Sequence, residues 1–111
     1  MKNLFILLLF LLFACKTNEL AFTYRYQIIS DSKSMSVTYQ DKFEQTINEP
    51  FVVSGWEYSW IQEGTRYLYL RVKNNTISDS AITIKITKGN YVVAQTTRYG
   101  PLNYVTISGI F

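Results

Sequence analysis

Ile82-Thr83-Ile84-Lys85-Ile86-Thr87-Lys88-Gly89-Asn90 is the stretch on which the fold turns. Three isoleucines alternate with threonine and lysine, so one face is apolar and the other polar. A repeat of two belongs to a half-buried strand, because successive side chains leave a strand on opposite sides. The β-branched residues also suit a pleated backbone. A helix would set Ile84 on the face opposite Ile82 and Ile86. Lys88-Gly89-Asn90 supplies a tight turn with a position for positive φ, and residues 91–97 pair back. The isoleucine strand is expected at the centre of its sheet.

The same alternation extends upstream. Phe22, Tyr24, Tyr26 and Ile28 share one face, opposite Thr23, Arg25 and Gln27. Ser30-Asp31-Ser32-Lys33-Ser34 is turn material. Met35, Val37 and Tyr39 form a second strand, expected as the hairpin partner of the first. Polar residues dominate 40–50, where Pro50 suits a sheet edge or a strand entry because it has no N–H to donate. Phe51-Val52-Val53 reads as a brief strand, and Trp56, Tyr58 and Trp60 alternate beyond it. In residues 67–72, Leu68, Leu70 and Val72 point one way, Tyr67, Tyr69 and Arg71 the other. Asn74-Asn75 opens a turn, Tyr99-Gly100-Pro101 makes another, and residues 103–108 form the last strand. Seven or eight short strands between turn signals predict an all-β chain folded as a single β-sandwich.

The N-terminus reads differently. Residues 4–14 carry no polar side chain. Eleven residues make roughly 16 Å of helix, about half of a ~30 Å hydrocarbon core. Lys2, a short apolar run and a small residue before a cut site are the parts of a secretory signal peptide. Leu12-Phe13-Ala14-Cys15 resembles the end of a bacterial lipoprotein signal, which is cut before the cysteine. The resemblance implies that residues 1–14 are removed, Cys15 carries lipid, residues 15–20 are a tether and residues 21–111 are the folded domain. One acyl chain anchors only marginally, at ~0.8 kcal/mol per buried methylene, whereas a triacylated cysteine anchors stably. Lys16 follows the cysteine. In enterobacterial lipoproteins an Asp there retains the protein at the inner membrane, so the resemblance implies the outer membrane and leaves open which face.

Composition bounds the chemistry. Of 111 residues, removal of the first 14 leaves 97, enough for one domain. Eleven Lys and Arg against eight Asp and Glu give a net charge of +3, and loss of Lys2 leaves +2. No basic run marks nucleic-acid binding. With Cys15 acylated no thiol remains for a disulfide. The chain has no histidine, which removes Ser-His-Asp and Cys-His nucleophiles and the commonest zinc ligand. Its acids form no pair on one expected strand, and no glycine-rich phosphate loop is present. The expectation is a non-enzymatic protein without cofactor or metal.

Ser36-Val37-Thr38-Tyr39, Trp56, Leu68-Tyr69-Leu70 leading to Asn74, the isoleucine strand, Gly89 and Ser108-Gly109 follow in an order that resembles the small MmpS-like membrane proteins. Short lipoproteins of Bacteroidetes belong to the same group, and the likeness covers residues 22–109. It implies an immunoglobulin-like β-sandwich. Its mycobacterial members are accessory to large lipid-exporting transporters. Family members read Pro-Trp where this chain has Gly55-Trp56. Some carry cysteines at the positions of Ile84 and Ile107, which implies that these two isoleucines are neighbours in the core.

Two candidate sites remain. Tyr67, Tyr69 and Arg71 share one strand face, which suits an aromatic and cationic platform for a sugar, a headgroup or a docking partner, or a sheet face partly covered by other strands with its hydroxyls wet. Asp79-Ser80-Ala81 matches a short O-glycosylation pattern of Bacteroidetes envelope proteins, with Ser80 as acceptor. The expected role is a lipid-anchored binding or accessory module for an envelope protein or transporter. The alternative is a structural surface lipoprotein.

Overall fold

The computed structural model describes residues 20–111, so Cys15 and the signal segment lie outside the described residues. Eight strands follow one another: β1 (Ala21–Ser30), β2 (Met35–Gln40), β3 (Thr46–Val52), β4 (Glu57–Glu63), β5 (Tyr67–Asn74), β6 (Ala81–Lys88), β7 (Tyr91–Tyr99) and β8 (Tyr104–Ile110). They build two four-stranded antiparallel sheets, ordered β4-β1-β6-β7 and β3-β2-β5-β8, packed face to face as a sandwich. Set β6 and β7 aside, and β1-β4 opposite β3-β2-β5-β8 is the strand order of an immunoglobulin B–E pair opposite C′-C-F-G. The β6–β7 hairpin occupies the edge of β1 where an A strand would pair.

Alternation places the core as expected. Ile82, Ile84 and Ile86 are buried on β6, which lies between β1 and β7. Tyr24, Tyr26 and Ile28 face inward from β1; Leu68, Leu70 and Val72 from β5; Val105 and Ile107 from β8. Ile84 and Ile107 are thus on the inner faces of opposing sheets. Gly89 opens the two-residue turn to β7 at φ 59°. Positive φ at the first turn position alone is the II′ pattern, whose twist matches the flanking strands.

The hairpin expected between the first two strands does not form. β1 pairs with β4 and β6, while β2 pairs with β3 and β5. Residues 31–34 carry the chain across the core to the other sheet. Both apolar faces still point inward, and Tyr26 and Tyr39 meet edge to face at 5.9 Å. Period two shows which face is buried but not whether the next strand lies beside it or opposite it.

The polar segment 40–50 resolves into a turn and an edge strand. The Asp41 carboxylate accepts the N–H groups of Phe43 and Gln45, both at 2.9 Å, and closes the β2–β3 turn. Pro50 then sits in β3, an edge strand, where its missing donor costs no ladder bond.

An aromatic cluster fills the half of the core under β1 and β4. Tyr26 lies 4.8 Å from Trp60, and Tyr39 lies 4.9 Å from Tyr58 and 5.1 Å from Trp56. Burial pushes the Tyr39 hydroxyl up from 10.0 to about 12, and the negative charge of Glu49 adds to the effect. Burial raises Tyr26 further in the same direction. A raised folded-state value means that the unfolded chain ionises first. The stability Tyr39 contributes in this way is therefore complete below pH 10 and is lost as pH rises from 10 through about 12, and that of Tyr26 declines over the same rise and beyond it. Denaturation midpoints should fall across that window, and absorbance at the tyrosinate band should show a late-titrating class that merges with unfolding. A titration in which every tyrosine ionises near 10 with the fold intact would contradict it.

Candidate binding face

Strand β5 presents Tyr67, Tyr69 and Arg71 outward because Leu68, Leu70 and Val72 are committed to the core. The structure does not gather the three into one site. Tyr67 lies at the far end of the strand, paired with Ile110, and is exposed. Tyr69 is half-buried opposite Ser108. Arg71 is half-buried between Thr38 of β2 and Thr106 of β8.

Two residues not singled out in the sequence complete the arrangement. Tyr104 and Lys73 are cross-strand partners on β8 and β5. The Arg71 guanidinium lies 3.8 Å from the centre of the Tyr104 ring, and the Lys73 ammonium 5.5 Å from it. Stacking of this kind contributes about 0.5–1 kcal/mol at an exposed site. It also fixes the plane of the guanidinium. An Arg held by its face keeps its N–H edge free for a carboxylate or phosphate, which it can grip with two parallel hydrogen bonds. Ser36, Thr38, Thr106 and Ser108 surround these groups with hydroxyls on the same face. No acid joins them. The one ion pair among the described residues, Arg25 to Glu57 at 3.8 Å, lies on the other sheet.

The signal for Tyr104 was present but faint. A tyrosine at the start of a strand is ordinary, and only the β5–β8 register sets it against Arg71 and Lys73.

A second concavity lies where the chain passes from β3 to β4. A cleft of about 510 Å³ is lined by Lys33, Glu49, Phe51, Val53 and Trp56, among others. The Trp56 indole N–H donates to Glu49 at 3.1 Å, which holds the ring at the cleft wall. Phe51 is 82% exposed beside it. Phe51-Val52-Val53 reads as a brief strand in the sequence; β3 ends at Val52, and of the three only Val52 is buried. The edge position of β3 and the shift of its register between Met35 and Val37 turn the neighbours out.

Ser80 is not presented as an acceptor for a sugar. It is 5% exposed, its hydroxyl is 2.8 Å from that of Ser78, and its N–H donates to the Ser78 carbonyl. Attachment there would require the β5–β6 loop to open. Among the described residues no three His, Cys, Asp or Glu gather in a metal-binding group.

The sequence matches no protein-family model and no curated protein.

Proposed function

We propose that this chain is a lipid-anchored module of the bacterial cell envelope that acts by contact, without catalysis, and docks an acidic group of a larger envelope protein onto the Arg71–Tyr104 face. One observation carries the reading. Arg71 and Lys73 are held at one aromatic ring, on a solvent-facing sheet, with no carboxylate beside them. Tyrosine and arginine are the residues that most often carry energy at interfaces. The anchor at Cys15 is supported by the lipoprotein-like Leu12-Phe13-Ala14-Cys15. An accessory role beside a membrane transporter is supported by the resemblance to MmpS-like proteins. The absence of histidine supports contact over chemistry.

Crosslinking in intact cells followed by recovery of the lipidated chain from membranes tests this. A specific partner should be recovered with the native chain and lost with Arg71→Ala or Tyr104→Ala. Arg25→Ala removes the same charge from the opposite sheet and should leave recovery intact. Without crosslinking, recovery should also weaken as salt rises, since exposed charge pairs are screened over about 8–10 Å near physiological ionic strength. Undiminished recovery from both face variants would overturn this site, and recovery of no specific partner with the native chain would favour a structural surface lipoprotein.

A further inference from the structure

Leu20 stands where the described chain enters the domain, at the end that also holds the β2–β3, β4–β5 and β6–β7 turns. Phe43, Ile61, Tyr67, Tyr91 and Ile110 lie at this end and face solvent, as Leu20 does. They come from different elements, so no single strand pattern explains them. Tyr67 and Ile110 form a cross-strand pair. The Lys42 ammonium lies 5.1 Å from the Phe43 ring and that of Lys88 4.9 Å from the half-buried Phe22 ring. Rings with lysine beside them suit a membrane–water boundary, where the ring sits at headgroup level and the ammonium reaches outward. Among the described residues, Glu44 and Glu63 are the exposed acids at this end; the Asp41 carboxylate is engaged within its turn.

These turns are tied together. The Arg66 guanidinium donates to the carbonyls of Asp41 and Lys42, both at 2.8 Å. The Phe111 N–H donates to the Arg66 carbonyl, and the Tyr24 hydroxyl reaches the carbonyls of Gly64 and Phe111 at 3.2 and 3.1 Å. The apolar side chains are therefore offered on a fixed surface.

Sequence length says what covers it. Leu20 is five residues past Cys15. Fully extended, that tether spans at most about 18 Å, less than the roughly 23 Å length of a seven-residue strand. A lipid on Cys15 would hold this end, and not the opposite one, against the bilayer.

We propose that this end of the sandwich rests on the bilayer surface, with Phe43, Ile61 and Tyr91 among the lipid headgroups. The orientation builds on the anchor proposed at Cys15. It makes the lipid a tether and the protein surface a second membrane contact. Phe51 and the cleft beside it then point away from the membrane.

The chain has one cysteine, so Phe43→Cys and Phe51→Cys each place a single free thiol at opposite ends of the acylated protein. Both side chains are exposed, at 71% and 82%. The full-length chains, processed in cells, are reconstituted in vesicles of phosphatidylethanolamine and phosphatidylglycerol and labelled with an environment-sensitive dye. Dye at 43 should emit to the blue and be quenched by lipid-borne nitroxides, while dye at 51 should behave as in water. Equal aqueous emission from both positions of the acylated chain would overturn the proposal and leave the anchor standing. The native chain, labelled in parallel, should take up no dye; dye on its Cys15 would overturn the anchor separately.

Discussion

Tyr26→Ala should lower the unfolding free energy by about 3–5 kcal/mol, the range for emptying a large aromatic side chain from a core. Tyr26 is 0% exposed and sits at the middle of the aromatic cluster. Its ring lies 4.8 Å from Trp60, 6.1 Å from Tyr58 and 5.9 Å from Tyr39, so it joins β1 to β4 in its own sheet and to β2 across the core. Alanine leaves a void that none of these three rings can fill without leaving the others. The hydroxyl adds a smaller effect. It donates to the Gln40 carbonyl at 2.8 Å, at the end of β2. Tyr26→Phe keeps the ring and should cost about 1 kcal/mol, the net value of a typical hydrogen bond. Urea unfolding of the two variants separates packing from bonding. A Tyr26→Ala loss no larger than that of Tyr26→Phe would show that the ring cluster does not join the sheets.

Much of the fold was legible because a two-sided strand writes its burial into alternate residues. Ile82, Ile84 and Ile86 were read correctly, and so were Leu68, Leu70 and Val72, whose outward neighbours then had to include Arg71. Topology was less legible. Met35, Val37 and Tyr39 have the same pattern whether β2 lies beside β1 or opposite it, and the link that crosses between the sheets is held by contacts distant in sequence, such as Ser32 to Asn74, 42 residues on. Edges were least legible. β3 buries only Val52 fully, so its sequence carries almost no period. Of the binding face, the strand pattern supplied Arg71, with Tyr69 beside it, and the register supplied the rest. Tyr104 acquires meaning only from the β5–β8 pairing, and Tyr67, on the same face as Arg71 in pattern, belongs by position to the end of the molecule that holds the β4–β5 turn.

Asn74→Ala should cost about 2–5 kcal/mol, since each buried polar group left without a partner costs about 1–3. Asn74 is 0% exposed at the end of β5. Its amide nitrogen donates to the carbonyls of Ser78 at 3.0 Å and Gly100 at 3.1 Å. Its oxygen accepts the Ser32 hydroxyl at 2.8 Å, and the Thr76 N–H and hydroxyl at 3.0 and 2.7 Å. One side chain thus ties the β1–β2, β5–β6 and β7–β8 loops together, and alanine orphans groups in all three. Asn74→Asp discriminates this account from simple loss of volume. The carboxylate is nearly the same size but cannot donate, so it would face the Ser78 and Gly100 carbonyls as a buried negative charge. Burial disfavours the charged form and raises the folded-state pKa above the unfolded ~3.9. The variant is therefore least disadvantaged below pH 4, where the group is protonated in both states, and it loses stability as pH rises through the folded value. Measured against the native chain at each pH, the Asn74→Asp deficit should be larger at pH 7 than at pH 4, whereas the Asn74→Ala deficit should not depend on pH. Equal deficits for Asn74→Asp at the two values would mean that the side chain is reached by water and does not hold the loops.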